Sequence, residues 1–129
     1  MIAVDTSALM AILLNEAEAR ACAAILEAES VLLISAGTLA EALIVAARRN
    51  LGDEMAQLVA GLGFTVEAVS QAGARRAADA YGRWGKGIHP AGLNFGDCFS
   101  YEIATTFVCP LLFVGNDFRQ TDVVCALAA

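Results

Sequence analysis

Val31-Leu32-Leu33-Ile34-Ser35-Ala36-Gly37-Thr38-Leu39-Ala40-Glu41-Ala42-Leu43-Ile44-Val45-Ala46-Ala47 is the stretch whose reading decides the fold. Its first four residues are apolar at every position rather than at every second one, so both faces of such a strand must be covered. Ser35 is a good helix N-cap. The helix after it is expected to turn Ala36, Leu39, Ala40, Leu43, Ile44 and Ala47 inward, and Glu41 is the only charged residue between Val31 and Ala47. A strand dry on both faces that runs straight into a helix is the unit of a parallel sheet covered by helices.

The same alternation extends outward in both directions. Ile2-Ala3-Val4-Asp5 reads as a short buried strand, after which Thr6-Ser7 can cap an apolar helix over 8–14. A second, Ala-rich helix is predicted over about 16–29. Further on come a helix over 52–62 ending at Gly63, a strand over 64–67, and a helix from Ser70 to about Trp84. Gly85, Gly87, Pro90 and Gly92 make 85–93 a loop. A helix over 96–108, a strand over 111–114 and an edge strand at Val123-Val124 complete the expected order. The prediction is an α/β fold, a three-layer α/β/α sandwich with a central, mainly parallel sheet. At 129 residues the chain suits one domain, 1–129.

Composition narrows the class. The chain is 58% hydrophobic, with a mean hydropathy of +0.62. No run approaches the ~18 consecutive apolar residues of a spanning helix, so no membrane role is expected. The surplus reads instead as a large core plus an apolar contact surface. A dimer or an obligate partner is therefore expected, with an interface on the early helices bearing Leu9, Leu13, Ile25 and Leu26. Met1-Ile2-Ala3-Val4-Asp5 has no basic region and reaches an acid at once, unlike a signal peptide. Cys22, Cys98, Cys109 and Cys125 are dispersed and His89 is the single histidine, which argues against a zinc site and for reduced thiols in a cytoplasmic protein.

A net charge of −6 and a pI near 4.6 weigh against a polyanionic partner. Yet Arg75, Arg76, Arg83 and Lys86 cluster against Asp79 alone, and Arg48-Arg49 form a second basic spot. Acids that bind cations also add to the net charge without repelling a substrate once the cation is bound.

Four acids stand in apolar surroundings: Asp5, Glu41, Asp97 and Asp117. Each of three has an ordinary alternative. Asp5 and Asp97 suit helix starts, and Asp117, after Gly115-Asn116, suits a turn. Glu41 does not fit so easily, because its i+3 and i+4 neighbours are Ile44 and Val45, and no base answers it along the helix. Asp122 suits a cap or a position behind the site, and Glu102 reads as a solvated helix-face residue. A carboxylate in apolar surroundings is costly unless paired, protonated or coordinated. With few bases nearby, a shared hard divalent ion such as Mg²⁺ is the economical explanation. Such an ion can activate a nucleophile and stabilise charge on a phosphodiester. The four carboxyl groups are expected to converge at the strands' carboxyl ends, where ligands of such sheets gather.

The order Asp5-Thr6-Ser7, Glu41, Asn94-Phe95-Gly96-Asp97-Cys98, Gly115-Asn116-Asp117-Phe118 and Thr121-Asp122-Val123 resembles the PIN-domain ribonucleases, more narrowly the VapC toxins of bacterial toxin–antitoxin pairs. The resemblance spans essentially the whole chain. It implies Mg²⁺- or Mn²⁺-dependent cleavage of RNA, with Asp5, Glu41 and Asp97 as the main acids and Asp117 as the fourth. The family often has Asp where this chain has Asn116, which leaves open whether Asn116 or Asp117 faces the metal. Thr6 and Ser7 would orient the metal-binding groups. The resemblance also implies a homodimer held inactive by a VapB-like antitoxin. On this reading Arg83 and Lys86 could hold flanking phosphates of an endoribonuclease substrate. A non-catalytic interaction domain for a protein partner is the main alternative, and a DNA nuclease of the same fold a third.

Overall fold

The computed structural model describes residues 1–127. Its elements follow in the order β1 (Ile2–Val4), α1 (Thr6–Leu13), α2 (Ala19–Ala28), β2 (Leu32–Ser35), α3 (Ala36–Arg48), α4 (Gly52–Leu62), β3 (Thr65–Glu67), α5 (Gln71–Trp84), α6 (Phe95–Thr106) and β4 (Leu111–Leu112). A 3-10 turn at Phe118–Gln120 follows. The strands form one sheet in the order β3-β2-β1-β4, parallel throughout.

Strand alternation divides the core between the two faces. Ile2, Val4, Leu32, Ile34 and Leu112 pack with residues of α1, α2, α3 and α4. Ala3, Leu33, Leu111 and Phe113 face α5 and α6 instead. Each fully buried Leu or Ile on these faces stabilises the fold by roughly 1.5–3 kcal/mol relative to exposure. Helix starts are fixed by short polar side chains: Ser35 Oγ accepts from Gly37 N at 3.2 Å, and Ser70 Oγ from Gly73 N at 3.0 Å. Gly63, with φ of 66°, ends α4 in the left-handed conformation that glycine adopts without penalty.

Several details depart from the expectations. The buried stripe of α3 is Thr38, Ala42 and Ala46, while Leu43 and Ile44 are 39% and 59% exposed. Small side chains face inward because α3 is closely packed on both sides: Ala42 and Ala46 lie in the core shared with α1, α2 and α4, and Thr38 meets Ser100 of α6. A Cβ on Gly37 would come within 2.7 Å of the Phe99 ring. Leu9 and Leu26 are buried in the chain's own core and are not free to meet a partner, while Leu13 and Ile25 pack against that core and stay partly exposed. Glu102 is buried rather than solvated. The Val123-Val124 segment does return along β4: Leu111 N donates to Val124 O at 2.8 Å and Ala126 N to Leu111 O at 2.9 Å, although the pairing stays an isolated bridge.

Candidate active site

The strand order puts a reversal beside β1: the chain winds outward through β2 and β3, then returns to place β4 on the other flank. Parallel sheets bind ligands at the carboxyl edge of such a switch point. Asp5 directly follows β1 there. Glu41 lies in the second turn of α3, which starts where β2 ends, and Asp97 lies in the first turn of α6.

Asp5 is 3% exposed and fully engaged. Its Oδ2 accepts from Ser7 N at 3.0 Å and Ser7 Oγ at 2.7 Å, and its Oδ1 accepts from Ser100 Oγ at 2.5 Å. It is thus also the N-cap of α1. Ser7 is fixed in turn, since its Oγ accepts from Val114 N at 3.0 Å beyond β4.

Glu41 Oε1 accepts from Thr6 Oγ1 at 2.7 Å. Burial pushes its carboxyl above the usual range and the charge of Asp5 adds to this, while the Thr6 hydroxyl works against it. Gly96 is what admits Glu41 to the start of α6: a Cβ there would land on the Glu41 carboxyl.

Asp97 serves two purposes. It forms a capping box, with Asn94 N donating to Asp97 Oδ2 at 3.0 Å and Asp97 N to Asn94 Oδ1 at 2.8 Å. Burial, and then the charges of Asp5, Glu41 and Asp117, push its carboxyl up to about 7 against the Asn94 N–H, which lowers it. Asp117 lies in the segment after β4, is exposed and makes no side-chain capping bond. Asn116 is likewise exposed.

The four acids thus share one edge without closing into a shell. Among the described residues no three Asp, Glu, His or Cys side chains are gathered tightly enough to hold an ion as they stand, so the expected convergence is looser than predicted. Side-chain carboxylates at the ends of different elements can approach one another only against mutual repulsion. No Lys or Arg makes a salt bridge to any of the four among the described residues. By its chemistry the donor set fits a hard divalent cation: every candidate ligand is a carboxylate oxygen.

Asp122 makes no hydrogen bond to any of these acids among the described residues. Tyr101 Oη donates to its Oδ1 at 2.6 Å, and Arg83 pairs with its Oδ2 at 3.5 Å. Those partners lie at the junction of α5, α6 and the last segment. Arg83, predicted for phosphate, is accordingly occupied by Asp122 and also stacks over Trp84 at 4.5 Å. Lys86 instead lines a groove of about 630 Å³ with Tyr81, Asn94, Phe95 and Phe99, beside the start of α6. Two residues escaped the sequence reading, Ser100 and Thr38, and Gly96 was read only as part of the motif around Asp97, without its contact to Glu41. Ser100 lies three residues after Asp97 and Thr38 three before Glu41, a helical spacing that puts each on its acid's side of the helix.

A sequence profile of the PIN domain matches residues 2–124. Ribonuclease VapC30 of Mycobacterium tuberculosis is 42% identical over 123 residues, 93% of this chain and 94% of its own. Ribonuclease VapC28 of the same organism is 42% identical over 128 residues, 96% of each chain. The chain belongs to the PIN-domain family, and within it to the VapC ribonucleases. Among solved structures, the fold is similar to that of Mycobacterium tuberculosis VapC20, described as a Sarcin-Ricin loop cleaving toxin, with a TM-score of 0.78 at 20% identity over 99% of this chain and all of the other. A toxin–antitoxin complex from Klebsiella pneumoniae gives a TM-score of 0.72 at 19% identity, over 98% of this chain and 97% of the other.

Proposed function

We propose that this chain, acting through residues 1–129 as one domain, is a Mg²⁺- or Mn²⁺-dependent endoribonuclease and the toxin of a VapBC-type pair. The observation that carries the reading is the cation-free placement of Asp5, Glu41 and Asp97 at the switch point of the sheet. The ribonuclease names of relatives 42% identical over nearly the full chain support it. Asp5, Glu41, Asp97 and Asp117 would hold the ion, which when bound supplies a Lewis acid and an activated water for attack on a phosphodiester. Ser7 holds Asp5 and Thr6 holds Glu41, so the hydroxyls fix carboxylates that would otherwise swing apart. Lys86, in the groove wall beside Asn94, is the nearer candidate for a flanking phosphate, and Arg83 would first have to leave Asp122.

A VapB-like antitoxin and a second copy of the chain are the partners this reading implies. Ile44, Phe95 and Val108 are among the exposed apolar positions available to them. Free thiols at Cys22, Cys98, Cys109 and Cys125 suit a reducing cytoplasm, and no helix among the described residues is long and apolar enough to cross a membrane.

The second reading is a non-catalytic interaction domain, favoured by the looseness of the acid set and the net charge of −6. Incubation of the purified chain with a panel of structured and single-stranded RNAs separates the two. Cleavage that needs added Mg²⁺ or Mn²⁺ and stops with chelator is the expected result. Intact RNA across the panel, with antitoxin binding retained, supports the interaction domain.

A further inference from the structure

Two hydroxyls with no assigned role meet behind Asp5. Ser100 on α6 and Thr38 on α3 are 1% and 0% exposed, and their oxygens lie 3.0 Å apart. Ser100 Oγ is also 2.5 Å from Asp5 Oδ1. A serine hydroxyl has one proton. Ser100 gives its proton to Asp5, so Thr38 must donate to Ser100. The donor order is thereby fixed as Thr38 to Ser100 to Asp5. On the other oxygen, Ser7 donates twice. Both oxygens of the carboxylate are held from behind, by α1 on one side and by α3 and α6 on the other.

We propose that Ser100, supported by Thr38, is a positioning residue that sets the carboxylate plane of Asp5 for a divalent cation. The inference rests on the reading of Asp5 as a metal ligand. A purely structural tie between β1, α3 and α6 would have no need of a carboxylate as its endpoint, since hydroxyls and backbone carbonyls satisfy one another. Here the relay ends on the acid that follows β1 at the switch point. Removal of a group that orients a metal ligand typically costs about 10- to 100-fold in metal affinity.

The test is Mn²⁺ binding to the RNA-free protein, followed by electron paramagnetic resonance, beside melting curves of the same samples. Ser100→Ala is expected to weaken Mn²⁺ binding by about 10- to 100-fold with a cooperative melt retained. Thr38→Val, which keeps the shape and removes the donor, is expected to weaken it less, and Thr38→Ser to recover what Thr38→Val loses. The double variant should bind no worse than Ser100→Ala alone, because the two act in one chain. If Ser100→Ala does not fold, Thr38→Val carries the test, and unchanged affinity there overturns the proposal. Unchanged affinity in Ser100→Ala while Asp97→Asn loses Mn²⁺ also overturns it, with the metal site left standing. Wild-type protein that binds no Mn²⁺ would overturn the metal-dependent reading itself, and the relay with it.

Discussion

Helix α6 carries a half-buried acid, Asp97, and a buried one, Glu102, within two turns of each other, and the protein treats them oppositely. Glu102 is 4% exposed, yet Arg76 lies 3.3 Å from its Oε2 and Thr106 Oγ1 donates to the same atom at 2.6 Å. Asp97 has one backbone donor and three other carboxylates acting on it, and no base. Burial of an acid is therefore no mark of function by itself. What separates the ends of α6 is whether the fold supplies a base to the acid, as Arg76 does for Glu102, or supplies none, as at Asp97.

The largest effect should come from exchanging the charge at the open end. Asp97→Asn is expected to reduce metal-dependent RNA cleavage to background, with the fold intact and its melting temperature unchanged or raised. Asparagine can still accept from Asn94 N, so the capping box has a neutral substitute, and like-charge repulsion is relieved. Full cleavage by Asp97→Asn across an RNA panel would reduce Asp97 to a helix-start residue and dissolve the contrast with Glu102.

Gly96→Ala attacks the same end without touching a charge. The backbone of Gly96 is not in the left-handed region, and alanine is the better helix former by about 1 kcal/mol. The new methyl would displace the Glu41 carboxyl, pulling it from Thr6. Cleavage is expected to fall about 100-fold, the scale of an ångström-sized misplacement, while the melting temperature holds. Wild-type rates in this variant would mean that the position of Glu41 against α6 is not used.

This contrast was only half legible beforehand. Glu41 declared itself because no base stood one turn away, and Asp97 because Asn94 and Gly96 framed it. The parallel sheet was visible in Val31-Leu32-Leu33-Ile34 because a strand dry on both faces has few other places to go. Glu102 misled because its base, Arg76, comes from another helix, and pairing between helices leaves no local spacing to read. Ser100 and Thr38 were hidden for the same reason, being 62 positions apart. On α3 the large side chains suggested the inner face, whereas close packing against neighbours distant in sequence reserves that face for Thr38, Ala42 and Ala46.

Proton linkage sharpens the comparison with a more modest effect. The Asp97 carboxyl rises from 3.8 to about 7 on folding, and Glu41 is raised as well. Folding therefore favours the neutral acids. Their stabilisation is complete below about pH 4 and is lost as pH rises toward 7 and beyond. In chelator, the melting temperature of the wild type should decline from pH 5 to pH 8 more steeply than that of Asp97→Asn. Mn²⁺ added at pH 8 should raise the wild type preferentially, by binding the folded state. Parallel pH profiles for the two proteins would show that Asp97 ionises in the fold as readily as in the unfolded chain.

The smallest effect on cleavage is expected at the paired end. Arg76→Ala removes the base from Glu102 and leaves Thr106 as its side-chain donor, making Glu102 resemble Asp97 in lacking a cation. The Arg76 side chain is 48% exposed but that of Glu102 only 5%, so water screens the base and not the acid left behind, and the loss should be about 1–3 kcal/mol, read as a fall of several degrees in melting temperature. Cleavage per folded molecule should stay at the wild-type rate, because neither residue touches Asp5, Glu41 or Asp97 through a hydrogen bond. A fall in cleavage larger than the lost folded fraction would extend the working site along α6 to its second acid. The division between a self-neutralised acid and an open one would then have to be redrawn.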